Sequence, residues 1–121
     1  MAIHGIFYIA LHVSNLAASK QFYVETLGWR LETEEPGVAG LWVGDGYVVL
    51  LANAPDSPGP RPGGMHVAVQ VEDIAQEHAR LREHGVAVSE LVSQPWGERN
   101  FRFTDPDGYQ WAYGEIASAS R

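Results

Sequence analysis

Residues 6–13 form an apolar run rich in β-branched and aromatic side chains that stops at polar Ser14-Asn15, two residues that favour a helix N-cap. A strand therefore hands over to a helix. From there Leu16, Phe22, Tyr23 and Leu27 recur near the helical period, and Gly28 stands where a left-handed C-cap residue belongs. Residues 29–35 read as a strand, Pro36-Gly37 breaks the chain, residues 38–43 resume it, and Gly44-Asp45-Gly46 turns it into a strand over 47–52. The stretch 53–64 holds four prolines and three glycines, too many to join either flanking element, and reads as a linker. The same plan then repeats. It predicts a strand over 65–71, a helix capped by Asp73 with Ile74, His78 and Leu81 on one face, a stop at Gly85, and strands over 86–92, 99–104 and 109–115. Gln94-Pro95-Trp96-Gly97 and Asp105-Pro106-Asp107-Gly108 supply the loops, and 116–121 is a small-residue tail.

The repetition is visible in the letters as well as in the pattern. Val13-Ser14-Asn15-Leu16-Ala17 recurs as Val71-Glu72-Asp73-Ile74-Ala75, an offset of 58 (71 − 13), and Asp45-Gly46-Tyr47 recurs as Asp107-Gly108-Tyr109, an offset of 62 (107 − 45). Two copies of one β-α-β-β-β unit follow, about 1–52 and 65–115, within a single domain over 1–121. The offsets pair Tyr8 with His66 and Leu50 with Ala112.

Composition narrows what such a chain does. At 121 residues it can bury roughly two thirds of its unfolded surface, enough for a core without staples. It has no cysteine, which suits a reducing cytoplasm, and its formal charge of −7 disfavours nucleic acid as a partner. Residues 1–13 lack a basic leading segment and are interrupted by His4 and His12, so they read as a mature strand; no apolar run approaches the ~20 residues of a membrane helix.

The paired units, Val13-Ser14-Asn15-Leu16 with Phe22-Tyr23 and Leu27-Gly28 downstream, Met65-His66-Val67-Ala68-Val69, and Phe101 to Gly108 closing on Asp-Pro-Asp-Gly together resemble the vicinal oxygen chelate superfamily. That is the fold of glyoxalase I, extradiol dioxygenases, and fosfomycin- and bleomycin-resistance proteins. The resemblance covers nearly the whole chain and implies an α+β fold, two tandem βαβββ units forming a curved eight-stranded half-barrel with helices outside. It also implies that a metal, where present, is held by the first and last strand of each unit, here Tyr8, Leu50, His66 and Ala112. Only His66 is a common ligand. Catalytic zinc needs about three protein donors, so neither a metal nor another cofactor is expected, with His66 the alternative ligand.

Strand alternation says what else lines the cavity. Tyr8 brings His4, Ala10 and His12; His66 brings Ala68 and Gln70; Leu50 brings Val48 and Ala52; and Ala112 brings Gln110 and Gly114. A four-residue loop over 105–108 sets Phe103 against Gln110 and Phe101 against Ala112, placing Arg99, Phe101 and Phe103 on the inner wall and Trp111 on the helix side. Trp42 faces the helix for a two-residue turn at 44–46 and the cavity for a three-residue one. Trp96 sits in a loop that resembles the one before the penultimate strand of drug-binding members. The expected ligand-binding set is Tyr8, His12, Trp42, Leu50, His66, Gln70, Trp96, Arg99, Phe101, Phe103, Gln110 and Ala112. That wall suits a metal-free, homodimeric, cytoplasmic protein sequestering an aromatic or cationic antibiotic-type molecule. The alternatives are a lyase, isomerase or dioxygenase that recruits His4, His12 or Glu115 or uses His66 with Tyr8 as an acid/base pair, and a pocket-less regulatory subunit.

Overall fold

Each helix starts on the cap its sequence spells out. Asn15 Oδ1 accepts the Ala18 N–H at 3.0 Å and begins α1 (Leu16–Lys20), and Asp73 Oδ1 accepts the Gln76 N–H at 3.1 Å and begins α2 (Ile74–Glu83). The computed structural model describes residues 2–52 and 55–116, so Asn53 and Ala54 of the linker and the tail from 117 onward lie outside the described residues. The chain divides into two units, Met1–Arg61 and Pro62–Arg121.

In the first unit β1 (Ile9–His12) leads to α1, which continues as a π-helical segment Gln21–Thr26 and then to β2 (Arg30–Glu35), β3 (Val38–Val43) and β4 (Gly46–Leu51). The second runs β5 (His66–Gln70), α2, β6 (Val92–Ser93), β7 (Glu98–Thr104) and β8 (Gln110–Ile116). The eight strands form two four-stranded sheets of the same order, β1-β4-β3-β2 and β5-β8-β7-β6, with the first and last strand of each unit parallel. The two βαβββ units are present. Among the described residues no helix is long and apolar enough to cross a membrane.

Two elements fall short of the expected lengths. Residues 2–8 join no ladder, which leaves Ile3, Ile6, Phe7 and Tyr8 exposed. Where a strand was expected over 86–92, only Val92 and Ser93 pair with β7. Ser89 supplies the reason: its N–H donates to Arg102 O at 2.9 Å, but its own Oγ accepts the Arg102 N–H at 2.8 Å, so a hydroxyl takes a rung that a backbone carbonyl would need.

Which face of each sheet meets its helix follows from burial. Leu11, Leu41, Val48 and Leu50 are buried in the first unit with Tyr23, Leu27 and Trp29. In the second, Phe101, Phe103, Trp111 and Tyr113 are buried with Ile74 and Leu81 of α2, and the Phe101 ring lies 4.8 Å from the His78 ring on that helix. Trp111 is thus on the helix side, as expected. Leu50, Phe101 and Phe103 are there too, against the expectation that they line a cavity. Arg99, expected on the inner wall, also alternates onto the helix side; its Nη1 lies 3.7 Å from Glu115 Oε2, while Glu115 Oε1 accepts the Ile74 N–H at the start of α2.

The displacement has one cause, a change of parity. Val13 N–H donates to Leu51 O and Val71 N–H to Gly114 O, both at 2.8 Å, so β4 and β8 correspond at an offset of 63 (114 − 51) rather than 62. The extra residue sits in the β7–β8 connection. Thr104 pairs with Gln110, leaving 105–109 as the loop, whereas Trp42 pairs with Tyr47 across 43–46. Buried Asp105 builds that longer loop by accepting the Asp107 N–H at 2.9 Å and the Tyr109 N–H at 2.8 Å on Oδ1, and Gly108 adopts φ 90° within it. Structurally, then, Val49 matches Ala112 and Leu50 matches Tyr113.

A pair of truncations checks this assignment of faces. Leu50→Ala should destabilise the protein by about 3 kcal/mol in urea unfolding, whereas Val49→Ala, on the opposite face, should cost less than about 1 kcal/mol. The reverse order would return Leu50 to the cavity side.

Candidate functional site

With parity corrected, the sheet faces turned away from the helices carry the candidate chemistry. On the first sheet these are Ala10 and His12 of β1, Tyr47 and Val49 of β4, Gly40 and Trp42 of β3, and Arg30 and Thr33 of β2. The β3–β4 turn has two residues, Gly44 and Asp45, and it places Trp42 on this open face because its neighbour Leu41 is buried on the other. The expectation that a two-residue turn aims Trp42 at the helix depended on Leu50 facing inward, and fails with it.

Trp42 is held on three sides. Its indole N–H donates to Glu32 Oε1 at 2.8 Å, its ring meets Tyr47 edge-on at 4.6 Å, and the Arg30 guanidinium lies 5.9 Å from the ring centroid. Tyr47 can lean across the sheet because residue 40 is glycine: a Cβ there would collide with the Tyr47 hydroxyl, which lies 3.3 Å from Thr33 Oγ1. Between these side chains and residues 4–7 opens a groove of ≈ 670 Å³, lined by His4, Phe7, Glu32, Trp42, Asp45 and Tyr47 among others. Sequence reasoning missed Phe7, Glu32, Asp45 and Tyr47 as lining residues. The Tyr8 ring stands 5.5 Å from Phe7 and is half exposed just before β1. His12 is engaged with the linker, its Nδ1 2.8 Å from Ser57 Oγ, which also accepts the Gly59 N–H at 3.1 Å.

On the second sheet the open face consists of His66, Ala68 and Gln70 of β5, Gln110, Ala112 and Gly114 of β8, and Glu98, Asn100, Arg102 and Thr104 of β7. Cross-strand rows run Gln70, Gly114, Asn100; Ala68, Ala112, Arg102; and His66, Gln110, Thr104. The structure thus keeps His66, Gln70, Gln110 and Ala112 on one face and replaces Arg99, Phe101 and Phe103 by their polar neighbours. The alternation of β7 was legible; the loop length that fixes its phase was not. Glu98 is anchored from both oxygens, Oε1 accepting the Trp96 indole N–H at 2.9 Å and Oε2 the Asn100 amide at 3.1 Å. Gly114 makes room for it, since a Cβ there would meet Glu98 Oε2 at 2.6 Å. Trp96, otherwise exposed, is therefore fixed beside this face.

The family metal positions do not fit a divalent ion. By backbone register they are Val49, His66 and Ala112, with Tyr8 just before β1, and the exchange of Leu50 for Val49 adds no lone pair. Among the described residues no group of three or more His, Asp or Glu side chains is placed to hold a metal.

Comparison with known proteins agrees with this architecture. The model of the Glyoxalase/Bleomycin resistance protein/Dioxygenase superfamily matches residues 5–113. YaeR of Escherichia coli (strain K12), described as an uncharacterized protein, is 32% identical over 121 residues, covering 89% of this chain and 93% of the relative. Among solved structures, TnmS3, an antibiotic binding protein from Streptomyces sp. CB03234, superposes with a TM-score of 0.83 at 31% identity, covering 96% of this chain and 98% of that one. A glyoxalase/bleomycin resistance protein from the same organism gives a TM-score of 0.74 at 31% identity, covering 88% and 96%.

The glycine under Glu98 gives a direct test of this second face. Gly114→Ala should push the carboxylate aside and break its bond to Trp96, moving the Trp96 indole N–H resonance and costing about 1–3 kcal/mol of stability. An unmoved Trp96 signal would mean that Glu98 does not lie over β8.

Proposed function

The chain belongs to the Glyoxalase/Bleomycin resistance protein/Dioxygenase superfamily, and from that premise we propose that it binds and sequesters an antibiotic-type small molecule, aromatic or cationic, without a metal ion. The observation that carries this reading is the groove beside Trp42 and Tyr47, whose ≈ 670 Å³ falls within the ~300–1,000 Å³ of small-molecule sites. A planar guest hiding ~350 Å² of apolar surface gains roughly 9 kcal/mol at ~25 cal/mol per Å², from which association subtracts several kcal/mol. Micromolar affinity needs no covalent or metal chemistry. The antibiotic-binding description of TnmS3, a neighbour matching nearly the whole chain, supports the same class of ligand.

On this reading the open face of the second sheet is a binding surface in its own right, where His66, Gln70 and Gln110 offer hydrogen bonds and Trp96 and Ala112 supply aromatic and apolar contact. Tyr8 lies near the first groove. The protein works as a homodimer in the cytoplasm. The enzymatic alternative has less to work with, because Glu115 is committed to the start of α2 and His12 to Ser57.

After dialysis against EDTA, at least one compound from a panel of aromatic antibiotics should quench tryptophan fluorescence with saturation at micromolar concentration. Trp42→Phe should remove most of the quenching, and His66→Ala should weaken binding by less than about 10-fold. Loss of all binding with EDTA, or a turnover that His66→Ala abolishes, would overturn the proposal.

A further inference from the structure

The groove on the first sheet has a charge as well as a shape. Its described lining includes two carboxylates, Glu32 and Asp45, three aromatic rings, Phe7, Trp42 and Tyr47, and the His4 imidazole, but neither lysine nor arginine. Glu32 is not free to swing into solvent, because the Trp42 indole N–H holds its Oε1 at 2.8 Å. A negative charge is thereby fixed at the edge of the ring that forms the groove wall. Arg30 lies against the Trp42 ring with its guanidinium carbon 5.9 Å from the centroid, so this aromatic already attracts one cation from within the chain.

Three kinds of planar guest would fare differently here. A neutral one gains ring contact but strips water from Glu32 and Asp45 without replacing it, which is unfavourable for an ionised carboxylate. An anionic one adds repulsion from both carboxylates to that cost. A cationic one keeps the ring contact, replaces the lost water with ion pairing, and meets the negative faces of Trp42 and Tyr47. Only the last is favoured by both carboxylates and the aromatic rings together.

We infer that this groove is a cation site: it selects ligands whose aromatic portion bears a delocalised or quaternary positive charge, seated between Glu32 and Asp45 against Trp42 and Tyr47. The inference rests on the ligand-binding reading above and narrows it to one charge class and one set of residues. Asp45, in the tight β3–β4 turn, and Glu32, beside the register shift in β2 between Leu31 and Thr33, become its specificity determinants. That shift in β2 gives the carboxylate its reach, since a bulge re-aims side chains away from strict alternation.

The test uses the full chain labelled with nitrogen-15, with the Trp42 indole N–H signal assigned by its loss in Trp42→Phe. N-methylquinolinium is titrated against quinoline, nearly the same ring system, at mildly alkaline pH where quinoline is neutral. The cation should shift the Trp42 signal with saturation at about 10-fold lower concentration than quinoline. In Glu32→Gln/Asp45→Asn that preference should vanish, with cation binding weakened and quinoline binding no weaker than before, the glutamine still offering the indole an acceptor. Equal affinity for the two compounds, or a preference that survives the double variant, sinks the cation site and leaves the ligand-binding reading standing. A Trp42 signal that neither compound moves overturns the cation site and takes with it the groove on which the broader reading stands.

Discussion

Each unit is closed by one backbone hydrogen bond between the residue after its first strand and the last strand: Val13 N–H to Leu51 O, and Val71 N–H to Gly114 O. That bond fixes the parallel register of β1 on β4 and of β5 on β8, and a register fixed to the residue decides which side chains meet the helix and which do not. A slip by one would expose Leu50 and bury Val49, or expose Tyr113 and bury nothing larger than Ala112. The apolar content of the two faces therefore holds the register as firmly as the hydrogen bonds do. Everything proposed for the open faces inherits its geometry from this constraint.

Much of the fold was legible because its signals are local. Asn15 and Asp73 cap helices, Gly28 and Gly85 leave them at φ 79° and 82°, and the repeated segment at 13–17 and 71–75 announces two units. The site was less legible because its parity depends on counting loop residues. Asp105-Pro106-Asp107-Gly108 reads as a four-residue turn, yet the Asp105 carboxylate reaches past it to the Tyr109 N–H and adds a fifth. One residue then moves Arg99, Phe101 and Phe103 to the helix side and brings out Glu98, Asn100, Arg102 and Thr104. Leu50 failed by the same arithmetic, since the offset taken from the Asp-Gly-Tyr turn is one short of the offset along the strands. His66 and Ala68 needed no such count, and both lie on the open face of β5.

The two open faces share a device but not a chemistry. Each has a glycine on which a larger polar side chain lies: Gly40 beneath the Tyr47 hydroxyl and Gly114 beneath the Glu98 carboxylate. Glycine weakens a strand interior, so its use at both positions is a cost that the overlying group offsets by lying flat against the sheet. On the first sheet this brings aromatic surface together, Tyr47 against Trp42. On the second it orders a chain of hydrogen bonds from Gln94 through Asn100 and Glu98 to Trp96. Duplication has kept the scaffold and let the two faces diverge into a greasy, acidic one and a polar one.

That divergence bears on what His66 can do within the proposed binding function. A histidine serves as a strong base or a metal ligand when a second partner fixes its tautomer and orientation. His66 is exposed on β5 between small and amide neighbours, and among the described residues its ring has no hydrogen-bond partner to do so. The carboxylate nearest in character, Glu98, has both oxygens occupied by Trp96 and Asn100 and lies over Gly114, which is opposite Gln70 rather than His66. Pairing the two would require Glu98 to abandon both hydrogen bonds and cross two rows of the sheet. A side chain so tied positions Trp96 far better than it could transfer a proton, and a face built that way presents a fixed surface to a guest.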